Sequence, residues 1–235
     1  MGTASATSEQ NRRDYNQAVD LLDRAITAEG RQEAQDNWDR ALILAGLCRT
    51  RDESNDDFNY LLGYVYYKAP TKTEQIWREA ERFLRRATHL NSKHQLARYY
   101  LACVLFDRRR YSESLAELNR LPEDAFVHTG QTWRIIKVHE LRLCCALYIE
   151  PATVAPDETE KLCERYQLFE KDPLLAPLPT ELAECLDSVL RGQIATPGLV
   201  RLSRGCGKIF DLLRAGDLIE IRWPLLSTVS KGDRP

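Results

Sequence analysis

Leu62-Gly63, followed by Tyr66 and then Ala80, and Leu101-Ala102, followed by Leu105, Tyr111 and Ser114, state one helical phrase twice. In both, a large apolar residue stands beside a small one, and a further small residue follows in the next helix. Small side chains let a neighbouring helix backbone approach closely. A unit that recurs every few dozen residues points to stacked helical hairpins, in which each hairpin covers the apolar face of its neighbour and one concave face stays free.

Working towards the N-terminus, Tyr15, Ala18, Leu21, Leu22, Ala25 and Ile26 recur at three- and four-residue steps, which predicts a helix from about Arg12 to Thr27 ahead of Gly30. A second helix is expected from about Gln32 to Arg49, with Trp38, Ala41, Leu42, Ala45 and Cys48 on one face, then a polar loop over Thr50 to Asp56. The third carries Phe58, Leu61, Leu62, Val65 and Tyr66 and ends before Ala69-Pro70, because the residue ahead of a proline avoids the helical region.

Working towards the C-terminus, a helix over Thr73 to Leu90 buries Ile76, Trp77, Ala80, Phe83, Leu84 and Ala87. Leu96 to Phe106 and Tyr111 to Leu121 form the next pair around the polar elbow Asp107 to Arg110. Further helices are expected at Gln131 to Ile149, Glu158 to Phe169, Thr180 to Leu190 and Gly198 to Arg214, with a strand-like alternation over Asp217 to Trp223. Ala41, Ala80 and Ser114 hold the same small-residue place in three successive second helices, 39 and 34 residues apart.

These residues resemble tetratricopeptide repeats. Leu101, Ala102, Leu105, Tyr111, Ser114, Leu118 and Leu121 match that family's spaced large and small positions; Leu62, Gly63, Tyr66, Ala80, Leu84 and Ala87 match it with extra residues in the elbow around Pro70 to Glu74. The resemblance covers about Asn55 to Leu121. It implies an all-α fold, a right-handed superhelical stack of about five antiparallel hairpins with an irregular C-terminal segment. Its parts are a flexible stretch at 1–10, the repeat domain at 11–171, helices capping or extending the stack at 172–223, and a flexible tail at 224–235.

The resemblance also implies that the first helix of each hairpin lines a concave groove for a partner segment. At matching positions that face holds Asp57, Tyr60, Tyr64, Tyr67 and Lys68 in one repeat, and Leu96, Tyr99, Cys103, Phe106 and Asp107 in the next. The expected partner-binding residues are Tyr60, Tyr64, Tyr67, Lys68, Tyr99, Cys103, Phe106 and Asp107. The subfamily that grips acidic chaperone tails uses Lys and Asn where this chain has Tyr60 and Tyr64, so that activity is not implied. Tyr60, Tyr64 and Tyr67 stand at i, i+4 and i+7, and internal packing on a helix apolar nearly all round explains the stripe without a ligand.

Composition agrees with a protein that presents a surface. The 235 residues are 43% hydrophobic, and 33 Lys and Arg against 35 Asp and Glu give a formal charge of -2, with no global pull towards nucleic acid or anionic lipid. Arg108-Arg109-Arg110, with Arg82, Arg85 and Arg86 one hairpin earlier, is a solvated elbow or a local phosphate-binding patch. Seven cysteines without a Cys-x-x-Cys pair suit free buried thiols in a reducing, cytoplasmic setting, and no run approaches the ~18 apolar residues of a membrane span. The four histidines show no metal spacing, Gly205-Cys206-Gly207-Lys208 lacks the frame of a phosphate loop, and no thiol has a nominated base. The expectation is a non-enzymatic adaptor for a protein or peptide, without cofactor or metal. A regulatory or inhibitory subunit of an enzyme, and an RNA-binding repeat using the arginine elbows, are the alternatives.

Overall fold

A computed structural model describes residues 3–127, 131 and 133–149. The helices expected beyond residue 149, the alternating segment Asp217 to Trp223, and the cap and tail at 172–235 lie outside the described residues. The described part is all-helical, seven helices with no strand among them: α1 (Thr3–Thr27), α2 (Arg31–Arg51), α3 (Asp56–Tyr67), α4 (Glu74–Leu90), α5 (Gln95–Asp107), α6 (Tyr111–Asn119) and α7 (Trp133–Ile149). No helix among them is long and apolar enough to cross a membrane. The chain divides into two compact units, Met1–Arg110 and Tyr111–Pro235.

In the first unit α1 packs on α2 and α3 on α4, α2 and α4 each pack on the helix that follows, and α3 touches both α1 and α5. The apolar stripes account for this pattern. Ala18, Leu21, Leu22 and Ala25 of α1, Trp38, Ala41 and Ala45 of α2, Leu61, Leu62 and Val65 of α3, and Phe83 of α4 share one core. Ala41 and Ala80 are fully buried, in keeping with their role as places of close approach. Gly63 shows the same requirement most sharply, because a Cβ built there would stand 2.7 Å from Leu84 Cγ and 3.0 Å from the Leu84 backbone nitrogen. Any side chain at 63 would push α4 away from α3.

Polar contacts set the helix ends. Asn55 and Thr73 cap α3 and α4 by accepting hydrogen bonds from the Phe58 and Ile76 N–H groups. At the other end of α3 the Trp38 indole N–H donates to the Val65 carbonyl at 2.7 Å. That carbonyl belongs to the last turn, where intrahelical partners run out. α5 closes with Arg109 in the left-handed region at φ 58, the Arg109 N–H bonded to the Phe106 carbonyl and the Arg110 N–H to the Leu105 carbonyl. This is the Schellman pattern with arginine where glycine is preferred.

α1 begins nine residues before the expected Arg12. The sequence ahead of Arg12 offers no apolar stripe, and from Glu9 on the helix carries pairs one turn apart, Glu9 with Arg13 at 2.7 Å and Gln10 with Asp14 at 2.7 Å. α2 runs two residues past Arg49, where Arg51 reaches back to Asp14 and Asn11 of α1 and clasps the first hairpin.

In the second unit α6 packs on α7. The fully buried Ser114 hydroxyl meets Cys145, whose thiol is pushed up to about 11 by burial, an effect the Ser114 hydrogen bond opposes. Arg142 donates to the Leu118 carbonyl at 2.7 Å, closing the C-terminal end of α6, and the Tyr111 and Tyr148 rings stack at 4.3 Å. Cys48, Cys103, Cys144 and Cys145 are buried thiols, none of them in a disulfide.

Candidate functional site

The tyrosine stripe of α3 is built around a residue of α5. Tyr100 lies 6.2 Å from Tyr60, 4.4 Å from Tyr64 and 5.5 Å from Tyr67, ring centroid to centroid, and Tyr99 meets it edge-on at 5.1 Å. Tyr60 and Tyr64 stack at 5.8 Å with nearly parallel planes. Aromatic pairs at these separations add to the value of the area they bury, so much of the stripe works as the α3–α5 interface.

The eight expected partner-binding residues therefore fall into two groups. Tyr60, Tyr99, Cys103 and Phe106 are buried, at 6–8% exposure. Tyr64, Tyr67 and Lys68 are half-buried and Asp107 is exposed. Three of the eight, Tyr67, Lys68 and Asp107, line a cleft of about 360 Å³ at the C-terminal ends of α1, α3 and α5. Ile26 of α1, Pro70 and Lys72 of the elbow and Trp77 of α4 complete its walls. Trp77, expected from its spacing to be buried in the core, is half-buried at the cleft wall, and Lys72, which no sequence pattern singles out, lies beside it.

Two ammonium groups sit on the aromatic walls. Lys72 Nζ lies 5.2 Å from the Tyr67 ring centroid and 5.0 Å from that of Trp77; Lys68 Nζ lies 5.3 Å from Tyr67 and 5.8 Å from Tyr64. These are cation–π distances. Lys72 Nζ also donates to the Tyr67 carbonyl, the last of α3. Burial, and then the like charge of Lys68, bring the Lys72 ammonium down to about 8 against the pull of Asp107. Burial drives the Tyr67 hydroxyl well above its ordinary value, with Cys103 and Asp107 adding to the effect.

Two arginines of the elbow, Arg108 and Arg110, reach carboxylates of α4. Arg108 pairs with Glu81 and, at 2.7 Å, with Glu74; Arg110 reaches both Glu81 oxygens at 2.7 and 2.8 Å; Arg85 donates to Glu81 at 2.8 Å. Burial pushes the Glu81 carboxyl up, but the hydrogen bonds from Arg85 and Arg110 outweigh it and hold the group below its usual range. Arg82 pairs with Glu79 on its own helix. Arg108 and Arg110 tie the α5–α6 elbow to α4, where Arg85, Arg108 and Arg110 share the carboxylates of Glu81 and Glu74, so their positive charge is only partly offset.

Asp56, Asp57 and His94 bring ligand-capable atoms within 4.8 Å of one another. His94 Nδ1 accepts the Ala97 N–H at 3.1 Å as the N-cap of α5, so the neutral ring carries its hydrogen on Nε2, which faces Asp57 Oδ1 at 3.3 Å. No ring lone pair is left for a cation. The His94 hydrogen bond holds the Asp57 carboxyl below its ordinary value, and Asn91 donates to Asp56 at 2.7 Å. The group joins the starts of α3 and α5. No family model matches the chain, and no curated protein matches it.

Proposed function

We propose that the chain is a non-enzymatic adaptor of tetratricopeptide-like hairpins that binds a segment of a partner protein along the accessible part of its aromatic face, Tyr64, Tyr67, Lys68 and Asp107. The observation that carries this reading is the cleft beside α3, where the half-buried Tyr67 ring stays reachable next to Lys68 and Asp107 although it, like Tyr60 and Tyr64, also packs against Tyr100 of α5. Hairpin-on-hairpin packing, with α3 against both α1 and α5, and the fully buried small residues Ala41, Ala80 and Ser114 support the repeat assignment. Affinity comes from the half-exposed rings, which bury large area with few rotors, and the rim charges Lys68 and Asp107 set register and on-rate.

Affinity purification from the native cell tests this with Tyr64→Ala and Lys68→Glu beside the parent chain. Loss of one stoichiometric partner from both variants is the expected result, with the Lys68→Glu melt unchanged and the Tyr64→Ala melt lowered but still cooperative and complete above the assay temperature. Retention of that partner by both removes the aromatic face from the interaction.

A further inference from the structure

The groups around the Lys72 ammonium are those that hold a cation. The Tyr67 and Trp77 rings stand 6.0 Å apart with planes inclined at 52°, and the nitrogen lies about equally far from both. The Tyr67 carbonyl accepts from it at the C-terminal end of α3, where helix carbonyls carry partial negative charge. Asp107 supplies a carboxylate in the same cleft. Two inclined rings, a helix C-terminus and an acid form the kind of enclosure that recognises quaternary ammonium groups.

We propose that this cleft is a cation cage which Lys72 fills in cis, and that its ligand is a quaternary or methylated ammonium group carried by the partner segment. The proposal rests on the adaptor reading and names the chemistry of the partner. Lys72 belongs to the exposed stretch Pro70–Thr73, the same extra elbow residues that set this hairpin apart in the sequence, so it can withdraw without unwinding α3 or α4. It is also a weak occupant. Lys72 as a whole is exposed, but desolvation of its nitrogen against the rings and the like charge of Lys68 lower its value to about 8. A quaternary ammonium meets the same desolvation and the same Lys68 charge, but its charge is spread over methyl groups that are cheaper to take out of water and suit the ring faces, and it has no proton to lose.

Affinity for a permanent cation should therefore rise as Lys72 is neutralised. The groups facing the Lys72 nitrogen are Lys68 at the end of α3, Asp107 at the end of α5, the Tyr67 hydroxyl, which stays protonated at pH 9, and the uncharged Trp77 of α4; α1 contributes only the apolar Ala25 and Ile26. With a midpoint of about 8, the neutral fraction of Lys72 grows from about a tenth at pH 7 to about nine-tenths at pH 9. Apparent affinity scales with the competent fraction, so about a tenfold gain is expected.

The experiment titrates the full chain with choline and with its neutral carbon isostere 3,3-dimethylbutan-1-ol, following the Trp77 indole N–H by nitrogen-15 NMR, with Trp77→Phe assigning the signal. A saturable shift with choline alone, tightening about tenfold from pH 7 to 9 and about tenfold at pH 7 in Lys72→Gln, is the expected result. Equal binding of the isostere, no saturable shift at 100 mM choline, or no gain in Lys72→Gln overturns the cage. Tyr64→Ala separates the two readings: choline binding that persists after the partner is lost leaves both standing, and partner binding without choline binding removes the cage alone.

Discussion

Two helix-interior glycines should respond in opposite directions to the same substitution. Gly63→Ala places a methyl carbon 2.7 Å from Leu84 Cγ and 3.0 Å from the Leu84 backbone nitrogen, and Leu84 is fully buried, so neither atom yields without moving α4. Overpacking of this kind costs up to about 3 kcal/mol, and replacing glycine in a helix returns about 1 kcal/mol. The net expectation is about 2 kcal/mol of destabilisation. Gly46→Ala meets nothing within 4 Å, which leaves only the propensity gain of about 1 kcal/mol. Urea unfolding of the full chain, read by far-ultraviolet circular dichroism, separates the two. The Gly63→Ala midpoint should fall and the Gly46→Ala midpoint rise, with unchanged slopes. A Gly63→Ala chain as stable as the parent would refute the close approach of α3 to α4, and with it the physical reason for the Leu62-Gly63 phrase.

Three further outcomes follow from the contacts that hold the helix ends. Trp38→Phe removes the donor to the Val65 carbonyl and should cost about 1–3 kcal/mol in the same urea assay. Arg109→Gly relieves the left-handed backbone at the end of α5 and should raise stability by about 1 kcal/mol. Asp14, Glu81 and Asp57 all titrate below their ordinary values. Arg51 holds down Asp14; Arg85 and Arg110 hold down Glu81 in spite of its burial; His94 holds down Asp57. A depressed carboxylate contributes stability that is present above its unfolded value near pH 4 and lost as pH falls through its folded value. The urea midpoint should hold from pH 7 to 5 and drop below about pH 4, and Asp14→Asn and Glu81→Gln should each reduce that drop.

Helix positions were legible in the sequence because the apolar residues of this chain recur at helical spacing and its breaks fall at Gly30, Pro70 and Asn91-Ser92. The start of α1 was not, since the sequence before Arg12 has no apolar stripe to set a period, and a pair such as Glu9–Arg13 shows itself only in three dimensions. Long-range pairing was equally hidden. The run Arg108-Arg109-Arg110 shows its charge in one dimension, whereas the carboxylates that Arg108 reaches, Glu74 and Glu81, lie 34 and 27 residues earlier. The stripe Tyr60, Tyr64 and Tyr67 identified one face of α3, but only the position of Tyr100 decides how much of that face is covered. The extra residues of the elbow were visible as a departure in spacing. That they fold Lys72 back between Tyr67 and Trp77 depends on where α4 begins, which spacing alone does not fix.

The central claim is that a partner segment lies on the reachable rings of α3. Its most direct test is site-specific photo-crosslinking in the native cell, with benzoylphenylalanine at position 64 and, as a control, at the exposed position 39 on α2. The account predicts one crosslinked protein from position 64 and none of it from position 39. The same protein captured from both positions, or from position 39 alone, would contradict it.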